Sequence, residues 1–182
     1  MEAGHRLFAD DRLAVAGEQT RGTGRGPGTV LGVASQHFRA GVVIVVRSPD
    51  LSHVLAFERA DSPGSWQLPQ GGLKIGEQPI DGAWRELLEE TGLGRDDVVA
   101  SSEYPEWLAY EWPDDLKDVK AGSANRIGQV QRWFLFDAVS ADVEPSPDGS
   151  EFVDWKWVTP QWLVGHVLAW RRGPYQRVLG SS

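Results

Sequence analysis

The stretch from Gly71 to Leu93 constrains this chain more than any other. It predicts a helix with well-marked ends. Pro79 suits a first helical position, where its missing N–H costs nothing, and Gly92 suits the left-handed residue that closes a helix. Ile80, Ala83, Trp84, Leu87, Leu88 and Thr91 recur at three- and four-residue steps, which predicts one apolar stripe. Glu86, Glu89 and Glu90 share a different face, at i, i+3 and i+4, where like charges repel by roughly a few tenths of a kcal/mol per pair. They also crowd the C-terminal half, where the helix dipole disfavours anions. Stability does not account for three carboxylates so placed. A hard divalent cation does, because it takes oxygen ligands and turns their repulsion into attraction.

The rest of the chain supplies a scaffold for that helix. Gly41 to Arg47 is a continuous β-branched run, as expected of a strand buried on both faces. Ser48-Pro49-Asp50 is turn chemistry, and Val54 to Phe57 returns as a second strand. Val98 to Tyr104, Gln129 to Phe136 and Phe152 to Val158 read as further strands, with a polar, irregular stretch from Pro113 to Arg126. Thr159-Pro160 has the chemistry of a cap and first turn for an amphipathic helix over Gln161 to Trp170, followed by a cluster of Arg171, Arg172 and Arg177. Such a mixture packs as an α/β fold, a mixed sheet with helices on both faces. Residues 1–37 read as a poorly ordered extension, since Gly17 to Gly32 carries six glycines and cannot bury enough surface to fold alone. The folded domain is then expected over 38–180.

Composition narrows the chemistry. The absence of cysteine excludes disulfides, thiolate metal sites and a cysteine nucleophile. No run of about 18 apolar residues is present to span a membrane, and residues 1–12 lack a signal-peptide core, so a cytoplasmic protein is expected. The net charge of −8 argues against broad non-specific nucleic-acid binding, while leaving room for a local basic pocket. Arginines outnumber lysines 14 to 4, which suits phosphate recognition by bidentate forks. The four histidines show no ligand spacing, and no Ser/His/Asp motif is present.

Gly71 to Leu93 also fits the pattern G-x5-E-x7-R-E-U-x-E-E-x-G-U, with U aliphatic, at every fixed position. Its seven fixed identities would coincide by chance with a probability below about 10⁻⁸ per window. The stretch resembles the signature of the Nudix hydrolases, which implies an α/β/α sandwich and a metal-dependent pyrophosphohydrolase. Trp66-Gln67-Leu68-Pro69-Gln70-Gly71-Gly72, Trp107-Leu108-x-Tyr110, Gly128-Gln129-x-Gln131-Arg132-Trp133-Phe134 and Tyr175-x-Arg177-Val178 resemble the bacterial RNA pyrophosphohydrolases and dinucleoside polyphosphate hydrolases. The resemblance implies Mg²⁺, or Mn²⁺, held by Glu86, Glu89 and Glu90, with the Gln70 backbone carbonyl as a further ligand. It makes Glu151 either a fourth carboxylate ligand or the general base. It implies substrate contacts from Arg39, Arg59, Tyr110 and Arg132, and base stacking on Trp170. Arg85 is expected to pair with Glu77 and tie loop to helix. Carboxylates at Glu111, Asp114, Asp115 and Asp118 stand where RNA-processing relatives carry a basic run, which favours a compact nucleotide over an RNA backbone. The expected substrate is therefore a dinucleoside polyphosphate or the 5′-triphosphate end of RNA, cut by a monomer or homodimer. A nucleoside triphosphate pyrophosphatase and a non-catalytic nucleotide-binding module are the alternatives.

Overall fold

A computed structural model describes residues 36–114 and 125–180; the glycine-rich segment, Asp115 and Asp118 lie outside the described residues, together with the expectations placed on them. The β-branched run forms the centre of strand β1 (His37–Arg47), and Val42 to Val46 are fully buried. β1 runs parallel to β7 (Arg126–Ala138), from His37 opposite Arg126 to Arg47 opposite Asp137. It also pairs antiparallel with the short β4 (Gln70–Gly72). β2 (Val54–Arg59) pairs with β1, β3 (Trp66–Gln67) and β8 (Phe152–Val158), all antiparallel. β5 (Val98–Glu103) and β6 (Leu108–Glu111) both pair antiparallel with β7. The product is a mixed eight-stranded sheet with the path β3-β2-β1-β7-β5, from which β4, β6 and β8 branch.

Strand alternation divides the core into two layers. On one face Val42, Ile44, Val46, Phe134 and Phe136 pack with Ala83 and Leu87 of helix α1 (Pro79–Thr91). On the other, Val43, Val45 and Trp133 pack with Leu163 of α2 (Pro160–His166) and with Tyr175, Val178 and Leu179 of α3 (Arg172–Leu179). This is the α/β sandwich expected from the sequence. None of the described helices is long and apolar enough to cross a membrane.

The ends of α1 form as their residues dictate: Pro79 opens it, and Gly92 closes it at φ 72°, donating its N–H to the Leu88 carbonyl. The buried face is displaced from the expected stripe. Leu88 is exposed, whereas Gly82, Ala83, Leu87, Glu90 and Thr91 are buried. Gly82, which costs helix propensity, sits where an added Cβ would lie 2.7 Å from Leu73 Cδ2, so its smallness serves packing.

The helix expected over Gln161 to Trp170 is a correction. α2 ends at His166, because Val167 turns extended and buries its side chain with Leu163 and Tyr175. Leu168 is also extended, and a 3₁₀ turn, Ala169–Arg171, then leads into α3. Pro174 is tolerated in the first turn of α3, where backbone N–H groups have no intrahelical partner anyway. β6 is a further strand the sequence reading left unassigned; Leu108 and Tyr110 point inward while Ala109 and Glu111 are exposed.

Candidate active site

A cavity of about 350 Å³ opens where α1, β4, the start of β1, the end of β2 and the approach to β8 meet. Its carboxylates are Glu86 and Glu90 from α1, Glu151 from the turn before β8, and Asp61; its arginines are Arg39, Arg59 and Arg171. Gln70, Gln129 and the backbone of Gly71 and Gly72 complete the lining. The glycine pair is there for close approach. A Cβ on Gly71 would overlap the Glu86 carboxylate, and one on Gly72 would overlap the Arg39 guanidinium.

Arg85 organises the helix side. Its Nε donates to Glu77 Oε1 at 2.7 Å, its Nη2 to Glu77 Oε2 at 2.8 Å and to the Gly72 carbonyl at 3.0 Å. Nη1 donates to Glu86 Oε1 at 2.7 Å and Glu89 Oε2 at 3.2 Å. The hydrogen bonds from Arg85, then the Lys74 N–H, hold the Glu77 carboxyl down at about 2. The Arg85–Glu77 pair expected from the sequence is therefore present, and it fixes the loop between β4 and α1.

Glu90 is the most constrained carboxylate. Its Oε2 accepts the Gln70 N–H at 3.0 Å. Burial, with Glu151, Glu86 and Asp148 nearby, nevertheless pushes its carboxyl up to about 9. Glu151 is placed by Asp148, whose Oδ1 accepts the N–H groups of Ser150, Glu151 and Phe152 at 3.1, 2.9 and 3.1 Å. The same turn docks on the end of α1, where Ser146 and Asp148 donate to the Thr91 and Glu90 carbonyls at 2.8 and 3.2 Å. Those carbonyls have no intrahelical partner, so the turn caps the helix and sets Glu151 beside Glu90 at once.

Two buried arginines face these carboxylates. Arg59 is held by Asp61 through two hydrogen bonds, 2.7 Å from Nε and 2.5 Å from Nη2, and its Nη1 donates to Gln67 Oε1 at 2.8 Å and Glu151 Oε1 at 3.3 Å. Arg171 has only neutral partners. Nη1 donates to Gln67 Oε1, and Gln70, with its amide oxygen turned toward the guanidinium, accepts from Nη1 at 2.8 Å and Nη2 at 3.2 Å. Its Nε has no partner, and it is 4 % exposed. No carboxylate among the described residues pairs with it.

The structure brings together most, but not all, of the residues expected from the sequence. Glu86, Glu90, Glu151, Gln70, Arg39 and Arg59 line one cavity. Glu89 stands outside it, exposed, against Arg85. Tyr110 is buried, donates from its hydroxyl to Gln129 Oε1 at 2.8 Å, and lies 5.2 Å from the Trp170 ring. Trp170 reaches the site through Arg171, whose guanidinium carbon is 4.6 Å from its ring. Arg132 is not brought there. It occupies the opposite pleat of β7 from Gln129 and Gln131, donating to Glu103 Oε1 at 2.5 Å and the Pro105 carbonyl at 3.0 Å. Arg171, Gln67, Asp61 and Asp148 were missed. Arg171 carried two signals, its place after Trp170 and its arginine cluster; Gln67 carried one, its place in the motif over 66–72; Asp61 and Asp148 carried none.

Among the described residues, no three acidic or histidine side chains are drawn together tightly enough to hold an ion as they stand. Arginines hold Glu86, Glu89 and Glu151, and burial protonates Glu90. The donor set still fits a hard divalent cation: the cavity offers oxygen donors alone from its acidic side, and Glu90 is held in an anionic neighbourhood that a cation would relieve.

Residues 37–178 match the family model described as NUDIX domain. An RNA pyrophosphohydrolase of Rhodospirillum rubrum is 34 % identical over 157 residues, 85 % of this chain and 93 % of the relative. Nudix hydrolase 25 of Arabidopsis thaliana is 35 % identical over 149 residues, 75 % of this chain and 81 % of the relative. Among solved structures, the E. coli dihydroneopterin triphosphate pyrophosphohydrolase aligns with a TM-score of 0.63 at 18 % identity, covering 81 % of this chain and all of that one. A C. elegans Ap4A hydrolase complex aligns at 0.58 and 16 %, covering 79 % and 96 %. At these identities the two structures speak for the fold.

Proposed function

This chain belongs to the Nudix hydrolase family, and from that premise we propose that its cavity takes the polyphosphate of a dinucleoside polyphosphate, or of a short 5′-triphosphate RNA end. The family makes it a pyrophosphohydrolase of nucleoside polyphosphates, and family members generally use divalent metal ions. The observation that carries the reading is the meeting within one cavity of Arg171, buried with neutral partners only, and the carboxylates of Glu86, Glu90 and Glu151. A buried guanidinium calls for an anion and clustered carboxylates call for a cation; a metal-chelated polyphosphate answers both.

Glu86, Glu90 and the Gln70 backbone carbonyl would hold Mg²⁺ or Mn²⁺, with Glu89 at the rim. When bound, the ion supplies neutralisation of the phosphate oxygens and a more acidic attacking water. Arg39, Arg59 and Arg171 grip the phosphate oxygens through charge-assisted hydrogen bonds. Glu151 is the proton acceptor: Oε1 is engaged by Arg59 and Gln67, and Oε2 has no hydrogen-bond partner among the described residues. Arg85 orients Glu86 and is a positioning residue. Trp170, backed by the buried Tyr110 ring, offers the face on which a base would stack, and Arg132 takes no part.

A panel of dinucleoside polyphosphates, nucleoside triphosphates and triphosphorylated oligonucleotides, incubated with Mg²⁺ and resolved by ion exchange, tests the reading. Dinucleoside tetraphosphate is expected to be cleaved efficiently. Turnover confined to mononucleoside triphosphates would favour the triphosphate pyrophosphatase alternative, and no turnover at all would leave a nucleotide-binding module.

A further inference from the structure

Gln67 is 1 % exposed and its side chain touches three charged groups. Its Oε1 accepts from Arg59 Nη1 at 2.8 Å and from Arg171 Nη1, and its Nε2 donates to Glu151 Oε1 at 3.2 Å. An acceptor shared between two buried guanidinium groups is a natural place for a carboxylate, which would gain two charge-assisted hydrogen bonds. Asp61 already compensates Arg59, so a carboxylate there would neutralise the field of Arg171 and repel Glu151. The amide satisfies the same donors without removing any positive charge. Its NH₂ group adds a contact to Glu151 that no carboxylate could make.

We propose that Gln67 is a positioning residue that gathers Arg171, Glu151 and the Arg59 already paired with Asp61, while keeping the Arg171 charge available to substrate phosphate. The strand geometry supports this. Gln67 lies on β3, opposite Phe57 of β2, and Arg59 is two residues further along β2. The next residue, Leu68, donates its N–H to the Tyr175 hydroxyl of α3 at 2.9 Å. β3 is thus tied to the helix that follows Arg171, and Gln67 cannot drift away from either arginine. The proposal rests on the reading of the cavity as a polyphosphate site.

The test uses Gln67→Glu and Gln67→Met in the full-length protein with Mg²⁺. Three quantities are measured: thermal midpoint, affinity for a methylene-bridged nucleoside triphosphate that cannot be hydrolysed, and kcat and KM on the best substrate. For Gln67→Glu the melting temperature should hold or rise, while analogue affinity falls and KM rises by at least about tenfold, the scale of a lost charge in a buried phosphate contact. For Gln67→Met the melting temperature should fall, because two buried donors lose their acceptor. Its analogue affinity, measured well below that midpoint, should fall by less than that of Gln67→Glu, because the guanidinium charge stays while its placement loosens, with a further loss in kcat. Wild-type affinity in Gln67→Glu overturns the proposal, and so does an equal loss of affinity in both variants, since a merely structural residue would behave that way. A wild-type protein that binds the analogue but hydrolyses no nucleotide would sink the hydrolase reading and leave the role of Gln67 standing.

Discussion

Glu90 has a proton to lose. Burial beside Glu151, Glu86 and Asp148 pushes its carboxyl up to about 9, against the pull of the Gln70 N–H. Without a cation it is therefore neutral at pH 7, and Glu90→Gln reproduces that neutral form at nearly the same volume. The variant should melt no lower than wild type in chelator, while its turnover with Mg²⁺ falls by at least about 10³, the scale of removing one preorganised electrostatic element. Turnover near wild type would move the metal site elsewhere. Single side chains also show where the sequence was and was not enough. The spacing of the helix glutamates singled them out because it conflicts with stability, yet only Glu86 and Glu90 line the cavity and Glu89 stands outside it. Arg132 and Arg171 were not, because their roles depend on strand parity and on a chain reversal. Arg132 sits one residue from the inward-facing Gln131, on the other pleat, and pairs with Glu103.

At the scale of elements, α1 and the loop before it act through Arg85. Glu77 is held at about 2 against its ordinary 4.5 by hydrogen bonds from Arg85 and the Lys74 N–H. A carboxyl depressed on folding stabilises above its unfolded value and loses that contribution as pH falls through its folded value. Glu77→Gln should thus be less stable than wild type at pH 7, and the gap should close between about pH 4.5 and 2. Urea midpoints across that range measure it; a gap independent of pH would mean that packing, not the ion pair, holds the loop. The caps of α1 were readable from Pro79 and Gly92, because they follow from local backbone preferences. The break after α2 was not. Val167 leaves the helix to join the core, and that preference is tertiary. The break matters for function, since the turn it starts delivers Arg171 to Gln67.

Across the whole molecule, a cation and a substrate should each leave a measurable trace. Mg²⁺ at about 100 times its dissociation constant should add about 2.7 kcal/mol, a rise of roughly 5–10 °C in melting temperature at this chain length. Activity that survives excess chelator, with no such rise, would contradict the metal reading. The substrate trace concerns length. β6, whose Tyr110 hydroxyl meets Gln129 of the cavity lining, carries Glu111 exposed, with Asp114 just beyond it. Lengthening a triphosphorylated oligonucleotide past two or three nucleotides should then add little to kcat/KM and barely change its salt slope, whereas each backbone phosphate gripped would steepen that slope by about 0.7. Faster, more salt-sensitive cleavage of long RNA would make RNA ends the better assignment. The parallel union of β1 with β7 has a consequence in time. Arg39 stands opposite Gln129, so the two flanks of the cavity come from distant parts of the chain. That pairing closes a long loop before any contact rewards it, which makes such topologies slow to fold. During synthesis, Val42 to Val46 leave the ribosome well before their partner strand, as an apolar segment of the kind that aggregates when unpaired. The strand at the centre of the finished enzyme is also one whose parallel partner is made much later.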